Sequence, residues 1–420
     1  MTPVEFLVAA QPSRTQRSTL VLPNTLLRRA LACLLLGVGA LLAPFQRSAH
    51  AETPPAQTPP AQNRIIPGPL EDLGREYKVR LVYFVPKDRE IKKDYREKIE
   101  VLMRVVHDIY DRDFKAKGYN TRGLDFEFDE DGKLKVHLIR ARHNAEHYTG
   151  NPPTSDRLFN STSNEMVATI GYPAHRACLV FSEAGGIAEA TPAIPFCGVA
   201  MVSADMLRDE ITASTIEKQI ENMFDETPVK KADGESSEPR NRATQISNGV
   251  LMHELGHIFF MIHDQRDQRN IMAYGYHNLR LMFDKKTALS QPVRFSEDHA
   301  RIAAATRFFS ETIDEEDGEG PQGELKFLTP PQPGDTQVKF SFTASDNVGL
   351  KAVIYRESTL DTIIGGESLS GKTFERRGIF PRPIALTPGQ LLHYMIYLLD
   401  ENGNVALIQK DYRVPAEAQP

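Results

Sequence analysis

The chain has no block of clustered basic residues, and its formal net charge is only −6 over 420 residues. A nucleic-acid footprint is therefore excluded, and the charge speaks for solubility rather than for a partner. It has no Gly-x-Ser-x-Gly elbow and no phosphate-cradling glycine loop. That argues against a Ser-His-Asp hydrolase and against a nucleotide-dependent enzyme. No repeat of fixed period appears, which excludes a solenoid. The apolar run near the N-terminus, Ala30 to Phe45, falls short of the roughly 20 residues a membrane helix needs. Cysteine is scarce, with three in the whole chain.

What is present begins with a leader. Arg28 and Arg29 precede the apolar run, and Ala49-His50-Ala51 follows it as a small-x-small site. Together they predict a secretory signal over residues 1–51 and an exported protein, periplasmic, cell-surface or secreted, in a bacterium. Cys33 sits early in the run, whereas a lipoprotein signal needs its cysteine at the end. Cys178 and Cys197 then remain. An even count in an exported chain predicts a disulfide between them, worth roughly 3 kcal/mol for so short a loop.

Length implies two domains plus tails. Residues 52–75 are Pro-rich and read as a spacer. Strands are expected at Tyr77–Val85, Ala177–Phe181 and Val199–Ser203, with a helix from Asp94 to about Lys117. Leu124–Phe128 and Leu134–Ile139 flank Asp131-Gly132 and predict a hairpin. Residues 225–242 read as a loop, followed by helices over Thr244–Phe260 and Ser296–Phe309. An acidic linker over residues 313–324 closes a domain of residues 76–312. Beyond it, short alternating segments such as Val338–Phe342 and Leu391–Leu398 predict a β-sandwich over residues 325–415. Its Asp346-Asn347 and Asn402-Gly403 turns resemble those of bacterial immunoglobulin-like modules. These Asp and Asn residues could hold structural Ca2+, though ordinary turn chemistry explains them.

The chemistry lies in His253-Glu254-Leu255-Gly256-His257. Residues four apart share one face of a helix, so His253 and His257 can offer two imidazoles to one Zn2+ ion. Glu254, next to the first ligand, is placed to act as general base on an attacking water. Two histidines on a merely amphipathic surface are the plain alternative. The apolar neighbours Val250, Leu251, Leu255, Ile258, Phe259 and Met261 instead imply a buried helix, where imidazoles need partners. The third ligand is less direct. On a continuous helix His263 would stand about 120° off the metal face and about 9 Å up the axis. It can bind only if the helix stops near Phe259 or Phe260 and the chain turns back. Glu297, His277 and His299 are rival ligands.

The run His253 to Asp264 resembles the metzincin zinc peptidases, whose reprolysin-like group carries Asp after the last histidine. Asn270-Ile271-Met272-Ala273-Tyr274 looks like their methionine turn. The resemblance implies His253, His257 and His263 as zinc ligands and Met272 beneath the ion. It also implies Tyr274 as a catalytic hydroxyl on the metal or the developing oxyanion. An edge strand before the active helix would bind substrate backbone, and Val199–Ser203 is the candidate. One departure stands out: the family has glycine where this chain has Phe260.

The sequence therefore predicts an α+β zincin-like domain, with a mixed sheet and an active-site helix, followed by an all-β immunoglobulin-like sandwich. The expected function is a zinc metalloendopeptidase acting on protein or peptide substrates, with neither a nucleic-acid partner nor a membrane span after signal cleavage. The alternatives are a catalytically inactive zincin-like binding or adhesive protein, which Phe260 keeps open, and a zinc amidase or deacetylase.

Overall fold

The structure, a computed structural model, describes residues 76–193, 197–209, 211, 215–231, 234–284 and 293–416. The expected signal segment, Cys33 and the spacer lie outside these residues. The first half is a five-stranded sheet with helices on both faces. In chain order it runs β1 (Lys78–Val85), α1 (Tyr95–Ala116), β2 (Val136–Arg140), α2 (Ala145–Thr149), α3 (Ser155–Ile170), β3 (Arg176–Ser182), β4 (Ala188–Thr191), β5 (Gly198–Ser203) and α4 (Ile216–Asn222). A short ladder of β6 (Pro228–Lys230) and β7 (Ser237–Pro239) follows, then α5 (Arg240–Ile258) and α6 (Glu297–Ala305). The sheet order is β2-β1-β3-β5-β4, parallel except for β4.

β1 and β3 are apolar along almost their whole length because both of their faces are covered. Leu81, Tyr83, Leu179 and Phe181 point to the layer that holds α1 and α5. Val82, Phe84, Cys178 and Val180 point to the other, against Tyr148, Leu158 and Met166 of α2 and α3. This is the period-two alternation of a strand. α1 buries Ile99, Leu102, Val106 and Ile109 at helical spacing.

Three expectations are corrected. The 124–139 hairpin is reduced to one antiparallel bridge, Phe128 to Leu134. The Gly132 turn forms, but β2 takes its full ladder from β1, in parallel, where Val136 and Ile139 find the core. Val199–Ser203 lies within β5, which is an inner strand; β4 occupies the edge. Cys178 and Cys197 are free thiols. Cys178 is in register with Val199, so Cys197 stands one diagonal step away. The two thiols instead interact: a hydrogen bond with Cys197, together with burial, pushes the Cys178 thiol up.

The second half is a β-sandwich. One sheet has the order β11-β10-β13-β14, the other β12-β9-β8, and all neighbours are antiparallel. The strands are β8 (Gln322–Phe327), β9 (Gln337–Ser345), β10 (Leu350–Glu357), β11 (Thr362–Ser368), β12 (Thr373–Pro381), β13 (Leu391–Asp400) and β14 (Val405–Arg413). Phe340, Phe342, Tyr355, Leu392 and Leu398 fill the space between the sheets. The expected linker is pinned rather than loose. β8 starts inside it, and Asp317 accepts from the amides of Asn347, Asn402 and Asn404. Among the described residues no helix is long and apolar enough to cross a membrane.

Candidate metal centre

α5 is buried on nearly every side, including Leu251, Met252, Leu255 and Ile258. Its first amides are taken up from outside: Arg240 N–H donates to the Thr227 carbonyl at 2.9 Å and Asn241 N–H to that of Asp225 at 2.6 Å. Two glycines let the following chain pack tightly on it. A Cβ on Gly249 would stand 2.2 Å from the Tyr276 carbonyl oxygen, and one on Gly256 2.7 Å from Met272 Sδ. Met272, fully buried, is thereby lodged against the helix turn that carries the histidines.

α5 stops where the sequence requires. Phe260 takes a left-handed backbone with φ 64°. Phe260 N–H donates to the His257 carbonyl at 3.2 Å and Met261 N–H to that of Gly256 at 2.9 Å. These two bonds are the Schellman pattern that usually ends on glycine. The reversed chain brings His263 back to the helix.

Three imidazoles converge. His253 Nε2 lies 3.2 Å from His257 Nε2 and 3.3 Å from His263 Nε2. Four donors placed tetrahedrally at 2.0–2.1 Å around zinc stand about 3.3 Å apart, so these two separations fit that ion; all three ligand atoms lie within 4.8 Å of one another. The opposite ring nitrogens have other partners. His253 Nδ1 is 3.0 Å from the Ile271 carbonyl and His263 Nδ1 is 2.6 Å from Asp361 Oδ2. His257 hydrogen-bonds the Met261 backbone. Each partner is an acceptor suited to the ring proton, an arrangement that turns the three Nε2 atoms to one another as a metal site requires. Burial holds the His253 pKa down to about 4 and also lowers His257, so both are neutral near pH 7.

Glu254 is buried beside them. Desolvation, then the charge of Glu189, raises its carboxyl to about 8. A dication nearby acts the other way on a carboxylate. Tyr274 is 59% exposed, its ring stacked on His277 at 6.5 Å. Tyr276 is the nearer aromatic: its ring packs on His253 at 5.0 Å, and burial followed by the Glu254 charge raises its phenol. Asp264 ties its loop to Met272, its N–H donating to the Met272 carbonyl at 3.3 Å and its carboxylate accepting from Arg266 at 2.7 Å.

The rival ligands point elsewhere. Glu297 accepts from the Tyr119 hydroxyl. His299 caps α6 and donates to the Ile262 carbonyl at 2.7 Å, and the His277 ring lies tilted against that of Tyr276. Among the described residues, the only set of three or more His, Cys, Asp or Glu side chains close enough to share an ion is His253, His257 and His263. Sequence reasoning missed Tyr276, two residues past the expected tyrosine, and Asp361, which has no local signal at all.

No protein-family model matches the chain, and no curated protein matches it in sequence. Solved structures do. OgpA from Akkermansia muciniphila, in a catalytically inactive form complexed with an O-glycopeptide substrate (glycodrosocin), matches with a TM-score of 0.53. Identity is 14%, over 85% of this chain and 98% of that one. Wild-type OgpA in one crystal form gives a TM-score of 0.52 at 15% identity, over 85% of this chain and 97% of that chain. At this identity the likeness is one of fold, and its extent takes in both halves of the chain.

Proposed function

We propose that this chain is an exported zinc-dependent endopeptidase of the zincin type, with O-glycosylated peptides as its substrate class. The observation that carries the reading is the convergence of three imidazole nitrogens beside one buried carboxylate. Three imidazole nitrogens turned to one point leave a fourth position for water or substrate, as catalytic zinc sites do. A zinc ion held there would acidify a water and polarise the scissile carbonyl. The rest falls to the chain's own residues. Glu254 takes the proton of the attacking water and returns it to the leaving amine. Tyr274, exposed next to the site, offers a hydroxyl to the developing oxyanion. β4, antiparallel at the sheet edge and packed along α5, offers its free side to an extended peptide by strand addition. The substrate class is carried over from the glycopeptide bound by OgpA, and it supports this reading through fold alone.

The test is cleavage of an O-glycopeptide and of the same peptide without sugar, with and without a chelator. Scission of a backbone amide in the glycopeptide, lost on chelation and restored by zinc, is expected. Equal cleavage of both peptides would refute the sugar requirement. Release of acetyl groups without chain scission would move the assignment to a deacetylase.

A further inference from the structure

The sandwich meets the ligand loop through an apolar cluster and three hydrogen bonds. Phe260 and Ile262 share one apolar cluster with Ile354, Ile363, Tyr397 and Leu399. The Ile363 amide donates to the His263 carbonyl at 3.0 Å, and the Gln265 amide to the Thr362 hydroxyl at 2.9 Å. Asp361, in the turn between β10 and β11, sets Oδ2 2.6 Å from His263 Nδ1. Its other oxygen accepts from Arg356 Nη2 at 2.6 Å, so a guanidinium on β10 holds the carboxylate in place.

We propose that Asp361 is a positioning residue of the metal centre, holding His263 with Nδ1 protonated and Nε2 turned to His253 and His257. The sandwich thus completes the site instead of merely following it. The inference rests on reading the three histidines as metal ligands. An imidazole has two tautomers and a ring free to turn, and the partner of its remote nitrogen selects one state. His253 and His257 are anchored by carbonyls of their own half, Ile271 and Met261, and sit on a rigid helix. His263 lies on a loop, and its Nδ1 partner comes from residues nearly a hundred positions later. A carboxylate there also strengthens Nε2 as a donor. Asp361 adopts φ 47°, a conformation that aspartate, asparagine and glycine bear better than other residues. Asparagine and glycine therefore test the carboxylate without adding backbone strain.

The experiment measures zinc affinity of the full chain by chelator competition, with the visible spectrum of the cobalt-substituted protein as a second readout. Asp361→Gly should bind zinc about 10–100-fold more weakly than wild type and alter the cobalt bands. Asp361→Asn, with a neutral hydrogen bond, should lose about fivefold. Wild-type affinity and spectrum in Asp361→Gly would overturn the proposal while leaving the three-histidine reading intact. Absence of zinc binding by the wild type would instead sink that reading, and the proposal with it. Should Asp361→Gly fail to fold, Asp361→Asn decides, and an unchanged affinity overturns the proposal.

Discussion

Phe260 performs at the end of α5 the reversal that metzincin sequences give to glycine. A non-glycine residue at positive φ costs roughly 1–2 kcal/mol. The ring compensates: it is 2% exposed and packs on Tyr397 of the sandwich at 5.8 Å. Truncating a buried phenylalanine costs roughly 3–5 kcal/mol. The second effect is larger, so Phe260→Gly should lower stability by about 2–3 kcal/mol with zinc stoichiometry unchanged. Chemical denaturation checks it, and a stabilised variant would show that backbone strain outweighs the packing of the ring. At the same scale, Tyr274→Phe should reduce kcat about 10²–10³-fold, as loss of an oxyanion donor does. Parallel kinetics on Tyr276→Phe would reassign the role if that variant alone were impaired. His253, Glu254 and His257 were legible because their spacing alone defines a helix face. His263 became legible once a break at Phe260 was allowed. Asp361 was not legible, because its partnership with His263 depends on the docking of a distant turn.

Among the elements, α6 shows how a buried histidine ties local structure to pH. Ser296 caps the helix, and the Ser296 amide donates to His299 Nδ1 while Nε2 donates to Ile262. The first bond requires the neutral ring, because a protonated Nδ1 cannot accept, whereas Nε2–H donates in either state. Burial holds the His299 pKa down to about 4, against an ordinary value near 6.5. A depressed pKa contributes stability that is present above pH 6.5 and lost as pH falls through 4. The difference in unfolding free energy between metal-free wild type and His299→Gln should therefore shrink by on the order of 3 kcal/mol from pH 7 to pH 4. Urea titrations at both pH values measure it, and a pH-independent difference would contradict the assignment. Long periodic helices such as α1 and α5 were legible in the sequence, to within a few residues at their ends. α3 was not, since only Leu158, Phe159, Thr162, Glu165 and Met166 of its sixteen residues are buried and hydroxyls break its stripe. The hairpin reading of 124–139 failed because parallel pairing joins residues far apart in sequence, which no local turn signal reports.

Across the described residues, two halves that differ in composition form one compact unit. Arg307, just after α6, reaches the Asn402 carbonyl, the Asp317 carbonyl, the Asn404 side chain and the Tyr77 hydroxyl. The change from helical to alternating patterning revealed two folding classes, whereas the contact between them depends on side chains no pattern marks. In the proposed function, Glu254 works as the base beside a zinc ion held by His253, His257 and His263. Zinc content and peptide cleavage, measured together in wild type and Glu254→Gln, test it most directly. One zinc per chain is predicted in both, with turnover in the variant reduced at least 10²-fold. Wild-type turnover by a fully zinc-loaded Glu254→Gln, or a cleaving wild type that holds no metal, would contradict the account.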